Sequence, residues 1–197
     1  MHTSVAQQAI NQIFNDARSF SRWTDRPIEE TVIQELYRLV SLGPTSANSS
    51  PARFVFVRSR EGRDMLAAHV FDANKEKILT APVTVIIGQD SRFYDEMPKL
   101  CPARPQIADM FRSRAPLAEA TAARNSSLQA AYLIIAARSL GLDTGPISGF
   151  DHAGLDQAFF PDGRVKSNMI CSLGYGDPAD QSPRLPRLPF EDAARFA

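Results

Sequence analysis

Apolar positions along the chain alternate between helical and strand spacing. Val5, Ala9, Ile10, Ile13 and Phe14 recur at helical spacing and predict a helix over 4–16. Val32, Ile33, Leu36, Leu39 and Val40 form the stripe of a second helix. Pro27 can open that helix at its first turn, and Gly43-Pro44 stops it. Ala52–Arg58 (ARFVFVR), rich in β-branched and aromatic residues, predicts a strand. Short helices follow near 61–69 and 74–80, and Pro82 precedes a second buried strand, Val83–Gly88. Residues 91–116 carry Pro98, Pro102, Pro105 and Pro116 among aromatics and charges, which predicts a long irregular segment of the lid or binding-loop kind. Leu117 to Leu140 predicts the longest helix, with Leu128, Tyr132, Ile135 and Ser139 on one face and Gly141 as its C-terminal cap. A short strand near 143–147 leads to Gly149, and Asp151 caps a helix over 152–159. Val165–Gly174 predicts another buried strand. Beyond Asp177, Pro178, Pro183, Pro186 and Pro189 predict an extended tail.

Helices interspersed with strands predict an α/β or α+β sandwich, a central sheet with helices on both faces. The strands do not alternate one-for-one with helices, which favours a mixed sheet over a regular doubly wound one. No repeat, low-complexity tract or linker divides the chain, so one domain over 1–197 is expected.

Composition narrows the function. With 44% apolar and 22% charged residues, the chain is not disordered, collagenous or coiled-coil. Lys plus Arg and Asp plus Glu are 22 each, and this zero net charge argues against a nucleic-acid module or a polybasic membrane binder. Cys101 and Cys171 form no CxxC or Cys/His cluster, so zinc, iron–sulfur and thioredoxin chemistry have no support. Two lone cysteines fit a reducing compartment. Met1 to Asp16 shows no basic segment followed by an apolar run, and the longest apolar stretches, Ala131–Ala137 and Val83–Gly88, are too short to span a membrane. A cytoplasmic protein without a membrane partner is the expectation.

Three familiar motifs are missing: GxGxxG after a strand, GxxxxGK[ST] and GxSxG. His2, His69 and His152 sit in no triad or metal spacing. An enzyme of this composition would borrow its reactivity from an organic cofactor. Four segments are candidates to hold one. Gly43-Pro44-Thr45-Ser46-Ala47-Asn48-Ser49-Ser50-Pro51 gathers hydroxyls, an amide and open backbone in one turn; its plain alternative is a proline-bounded turn. Arg18-Ser19-Phe20-Ser21-Arg22-Trp23 sets two arginines four apart, able to clamp a phosphate, or merely to end a helix in solvent. Trp23 could stack on a ring or belong to the core. Arg184-Leu185-Pro186-Arg187 is a third cationic segment, or surface charge. Thr144-Gly145-Pro146-Ile147-Ser148-Gly149-Phe150-Asp151 lets backbone approach a ligand closely, or is a tight turn with a helix cap.

Together these segments resemble the flavin-dependent nitroreductase family. GPTSANSSPARFVFVR and LGLDTGPISGFD carry the likeness most specifically; AARNSSLQAAYLI, VKSN, GYGD and RLPRLPFEDA add to it. The resemblance runs from Arg18 to Asp192 and is closest to the subfamily that reduces malonic semialdehyde in pyrimidine degradation. It implies an α+β three-layer sandwich, a mixed central sheet flanked by helices, and an extended C-terminal tail exchanged with a partner subunit. It also implies a homodimer with FMN at the interface and NADH or NADPH as hydride donor. Carried over by position, Arg18 and Arg187 hold the FMN phosphate, with Arg184 as a second contact. Arg22 reaches the flavin. Ser46 and Asn48 line it, from either subunit. Asn74 and Lys77 meet its pyrimidine and ribityl parts, and Gly149 presents backbone to N5. Residues 90–116 correspond to the variable substrate lid. Ser148 departs from the family pattern, in which Glu often precedes the glycine. In that subfamily the acceptor is 3-oxopropanoate, reduced to 3-hydroxypropanoate, and Arg22 or Arg124 could take its carboxylate. Reduction of nitroarenes or quinones, and a flavin-binding protein without turnover, remain open alternatives.

Overall fold

The computed structural model describes residues 4–197, so His2 and the first part of the Met1–Asp16 stretch lie outside the described residues. Among the described residues four strands form one sheet in the order β1-β2-β4-β3: β1 (Ala52–Val57), β2 (Val83–Asp90), β3 (Asp143–Ile147) and β4 (Val165–Gly174). Every pairing between them is antiparallel. The mixed sheet read from the sequence reduces to one parallel bridge, Ser19 with Thr144, on the outer edge of β3.

β2 and β4 alternate their side chains between two cores. Val83, Val85, Ile87, Cys171 and Leu173 face α2 (Glu30–Ser41) and α7 (Ala115–Ser139). Ile86 and Ile170 face α3 (Arg60–Ala67), α4 (Asp72–Thr80) and α8 (His152–Phe159), where Leu66, Ile78 and Leu155 are fully buried. Each such side chain contributes roughly 1.5–3 kcal/mol. This is the three-layer α+β sandwich expected from the pattern.

Several local expectations change. The first helix is shorter than 4–16: α1 (Gln7–Ile10) continues as a wider π-type winding over Asn11–Asn15, and Val5 and Phe14 stay exposed. α2 begins at Glu30, and Pro27 belongs to the extended approach that delivers Ile28 into the core. Leu128 on α7 is exposed; the buried face is rich in small residues, among them Ala122, Ser126, Ala130 and Ala137, which let the helix lie close on the sheet, with Leu133 buried among them. Asp151 caps α8 as predicted, its Oδ1 accepting from the Gly154 N–H at 3.2 Å.

Residues 91–116 are not irregular. A turn at Phe93–Glu96, α5 (Met97–Leu100) and α6 (Gln106–Arg112) close over Phe93, Met97, Ala108 and Phe111, against Ala118 and Ala122 of α7. Pro98 and Pro116 sit in the first turns of α5 and α7, and Pro105 caps α6, positions where a missing N–H costs nothing. The prolines punctuate short helices rather than abolish them. The tail is extended apart from a turn at Pro178–Asp180 and α9 (Phe190–Ala193). Among the described residues no helix is long and apolar enough to cross a membrane.

Candidate functional site

The outer edge of β3 is covered by the segment that carries Arg18 and Arg22. The Phe20 N–H donates to the Thr144 carbonyl at 3.1 Å. The Asp180 carboxylate accepts from the backbone N–H groups of Ser21 (2.6 Å) and Arg22 (2.9 Å), which pins the segment from the tail side. Trp23 is buried and its indole donates to the Lys77 carbonyl at 3.0 Å, so it belongs to the core. Gly145 is required here: a Cβ would collide with the Phe20 carbonyl and lie 3.1 Å from the Trp23 ring and 3.2 Å from Lys77 Cδ.

Further along, Asn74 Nδ2 donates to the Gly149 carbonyl at 3.4 Å. A Cβ placed at Gly149 would lie 3.0 Å from the exposed Phe71 ring, a tight contact that the ring would have to yield to. Asn74 and Lys77 lie one turn apart on the same face of α4. Burial pushes the Lys77 pKa down, although the Cys171 and Asp180 charges act the other way. Ser148 is exposed beside Gly149. The exposed Arg22 guanidinium lies 3.9 Å from Glu76 of the same helix, a pair that solvent weakens.

At the opposite end of this edge is a cleft of about 280 Å³ lined by Arg18, Arg138, Arg184 and Arg187, with Ser19 and Ser182 between them. Among the described residues no carboxylate lines it. The guanidiniums turn to the carbonyls that end α1 and its π winding. Arg18 donates to Asn15 and Ala17 (3.0 and 2.9 Å), Arg138 to Ile13 (3.1 Å), and Arg184 to Asn15 and Ala17 (2.9 and 3.0 Å). Arg187 donates to its neighbour Leu185 at 2.8 Å. Arg18 Nε and Arg138 Nε are buried without a partner. Buried donors are almost always satisfied, so these two Nε groups, like that of Arg63 elsewhere, are donors that a ligand could take up.

The Ser46–Asn48 turn lies elsewhere. Ala47, Asn48 and Ser50 take left-handed φ values of 52°, 57° and 39°, each costing on the order of 1–3 kcal/mol. Helix α7 holds the turn in place. Asn125 Oδ1 accepts from the Ser46 N–H (2.8 Å), Gln129 Oε1 accepts from Ala52 N–H (2.9 Å), and the Tyr132 hydroxyl donates to the Pro44 carbonyl (2.8 Å). Asn48 Nδ2 donates to the Leu100 carbonyl at 2.8 Å, and Ala47 packs against the Phe93 cluster, so turn and lid form one body. A cleft of about 720 Å³ beside it is lined by Tyr37, Asn48, Ser50, Arg53, Phe54 and Lys99, among others.

One chain therefore brings Arg18, Arg184 and Arg187 together at one end of the β3 edge, and Asn74, Lys77, Ser148 and Gly149 together at the other. It leaves Ser46 and Asn48 apart from both. Asn125, which holds Ser46, and Arg138, which lines the arginine cleft, are thirteen positions apart on α7, about 20 Å of helix.

The nitroreductase family model matches residues 15–175, which includes the β3 edge and the Ser46–Asn48 turn. The chain belongs to the nitroreductase family. A Rhodopseudomonas palustris (strain TIE-1) protein, described as a candidate NADH dehydrogenase/NAD(P)H nitroreductase, is 49% identical over 195 residues, which is 99% of each chain. Among solved structures, a candidate nitroreductase from Exiguobacterium sibiricum 255-15 in complex with FMN superposes with a TM-score of 0.85 at 22% identity, over 100% of this chain and 99% of that one. A candidate nitroreductase from Bacillus subtilis also gives 0.85, at 18% identity, over 98% and 100%. These structures show the nitroreductase fold.

Within that fold, the AARNSSLQAAYLI segment carries family likeness but no sign of which of its residues hold the Ser46–Asn48 turn. Asn125, Gln129 and Tyr132 look like ordinary helix positions until the turn is seen resting on them. Arg138 gave one faint signal, a lone cation in the last turn of an otherwise apolar run. Arg124, beside Asn125 on α7, is exposed.

Proposed function

We propose that the protein is an FMN-dependent NAD(P)H oxidoreductase that works as a homodimer and reduces malonic semialdehyde to 3-hydroxypropanoate. The observation that carries the cofactor reading is the arginine cleft with its two unpartnered buried Nε atoms and no carboxylate on its lining. When bound, FMN supplies hydride transfer between a nicotinamide and an acceptor. The chain supplies position and charge. Arg18, Arg184 and Arg187 would fork onto the phosphate. Asn74 and Lys77 offer an amide and a cation to the polar edge of a flavin ring, and Gly149 allows backbone to approach it without a side chain between. Thr144 to Gly149 spans about 16 Å of extended chain, so the phosphate end and the ring end are held by one strand and its exit.

The remaining half of the site supports the homodimer. Ser46 and Asn48 lie about 20 Å along α7 from the arginine cleft and so serve a flavin there best from a second copy of the chain. That copy would bring its lid with the turn. The tail supports this reading: Leu185, Leu188, Phe190 and Phe196 are 76%, 72%, 55% and 93% exposed, an apolar strip without cover on its own chain.

The substrate rests on likeness to the malonic semialdehyde subfamily in GPTSANSSPARFVFVR and LGLDTGPISGFD. Charge is compatible with it. Ser148 adds no negative charge beside Gly149, while Lys77 and Arg22 are cations near the same edge, so an aldehyde bearing a carboxylate is not repelled. Nitroarene reduction is the second reading, favoured by the name of the 49% identical relative. The test is anaerobic bleaching of the purified yellow protein by NADH or NADPH, followed by steady-state rates with malonic semialdehyde, a nitroarene and a quinone. Protein that takes up no FMN sinks the cofactor reading. A flavin that is not bleached leaves a binding protein without turnover. A nitroarene or quinone kcat/KM above that for the aldehyde replaces the substrate.

A further inference from the structure

The arginine cleft holds one cation more than the sequence motifs assign. Arg138, in the last turn of α7, reaches the Ile13 carbonyl with Nη1 at 3.1 Å, while its Nε is buried and unpartnered. Arg18 Nε is in the same condition on the same wall. The facing wall is the tail, through Ser182, Pro183, Arg184, Leu185 and Arg187. Two guanidiniums thus come from the body of the chain and two from the tail. Burial pushes the Arg138 pKa down and the Arg184 charge adds to this, with Cys171 and Asp143 acting in the opposite direction. The Asp143 carboxylate is also engaged by the Gly176 N–H at 2.9 Å. Like charges gathered at short range are costly, and a dianion between them reverses the sign of every pairwise term. A planar guanidinium fork fits a tetrahedral phosphate through paired N–H groups.

We propose that Arg138 is a binding residue for a phosphate monoester in this cleft, and that the bound phosphate staples the Ser182–Arg187 tail to the body of the chain. The identity of the monoester, the FMN phosphate, rests on the function proposed above. The role of Arg138 and the link between occupancy and tail order go beyond it. The link is physical: Arg18 and Arg138 are fixed to the body, whereas Arg184 and Arg187 belong to an exposed segment that reaches this wall through the Arg184 bonds to the Asn15 and Ala17 carbonyls, and a shared ligand would add ties through both arginines.

The test uses apoprotein of the parent chain, Arg138→Gln and Arg138→Lys. Binding of FMN and of riboflavin, which lacks the phosphate, is read by flavin fluorescence. Trypsin cleavage after Arg184 and Arg187 is followed with inorganic phosphate, with FMN and with neither. Arg138→Gln should weaken FMN by about ten- to a hundred-fold and leave riboflavin within about twofold. Arg138→Lys should lose part of that FMN affinity, and it decides the matter should the Gln variant fail to fold. Phosphate and FMN should slow cleavage at both bonds in the parent and not in Arg138→Gln. Unchanged FMN affinity overturns the proposal. An equal loss for FMN and riboflavin also overturns it, since Arg138 would then act only by holding Ile13. If the parent binds neither flavin, the flavin reading fails while the anion site is still decided. Phosphate protection that disappears in Arg138→Gln supports the site, and protection absent from the parent or equal in both overturns it.

Discussion

Arg164 meets Asp90 side-on, with Nε and Nη2 each 2.8 Å from one of the two carboxylate oxygens. Arg53 Nη2 reaches the same carboxylate at 2.6 Å, and its Nη1 donates to the Ser50 and Ala52 carbonyls. One buried acid at the end of β2 thereby ties the residue before β4 to β1 and steadies the strained turn before β1. Its side chain is only 1% exposed, so removing its charge would leave two cations uncompensated.

Asp90→Asn should cost about 3 kcal/mol, the lower part of the range for breaking a buried pair, because both arginines are about one-third exposed. For a chain of this length that is a melting temperature lower by about 6–12 °C. Calorimetry checks it; a shift under about 2 °C would mean that the clamp is not stabilising.

Burial by itself would raise the Asp90 pKa. The bonds from Arg164 and the Arg92 N–H, with the Arg53 and Arg164 charges, outweigh it and hold the carboxyl below the usual 3.8. A depressed pKa stabilises the fold above the unfolded value, and that contribution is lost as pH falls from about 3.8 through the lower native value. Acid unfolding monitored by circular dichroism should therefore lose a component below pH 4 in the parent that is missing from Asp90→Asn.

Arg18→Ala and Arg187→Ala should each weaken FMN by about ten- to a hundred-fold, from roughly 1.5–3 kcal/mol per charge-assisted bond. Stopped-flow flavin reduction at saturating FMN should change little, because the phosphate is remote from the reacting ring. Ser148→Ala should do the reverse, sparing affinity and altering only turnover. Two arginine variants that hold FMN like the parent would return these side chains to surface charge.

Leu185→Ser with Leu188→Ser should shift a dimer towards monomer at micromolar concentration, since these side chains have no cover on their own chain. FMN should oppose the shift by mass action, as a ligand bound across an interface stabilises the assembly. Sedimentation velocity reads both effects. A monomeric parent with FMN bound contradicts the dimer.

With NAD(P)H and an acceptor, initial-rate plots should be parallel, as both reactants would use one site in turn. Intersecting lines would require both to bind together.

The two cysteines should differ. Burial pushes the Cys171 thiol up to about 12, and it has no access to solvent, whereas Cys101 is partly exposed. A thiol reagent should titrate one cysteine in the native protein and two in denaturant.

Strand and helix content was legible wherever a local rule settles it. The ARFVFVR run, the Val83 and Val165 strands and the Asp151 cap all rest on side-chain period or on a hydrogen bond within one turn. The lid is not legible locally: prolines read as breakers along the chain, whereas Pro98 and Pro116 begin helices that only the Phe93–Phe111 cluster makes worthwhile. The buried face of α7 is hidden for a related reason: close packing on a sheet selects alanine and serine over the larger Leu128, and nothing local announces that sheet.

Among the site residues, the sequence by itself determined the chemical types: arginines for an anion, an amide and a lysine on one helical face, and glycines where backbone must come close. Tertiary structure alone decided which of them meet. It put Arg138 beside Arg18, although they are 120 positions apart, because the end of α7 packs against the winding that follows α1. It put Ser46 beside Asn125 and so away from Arg18, because α7 is long and straight enough to hold the two clusters about 20 Å apart. Spacing along a chain reports neighbours within a turn or a strand; which distant groups share a cleft depends on how helices and sheet bury their apolar faces, and that is a property of the packed whole.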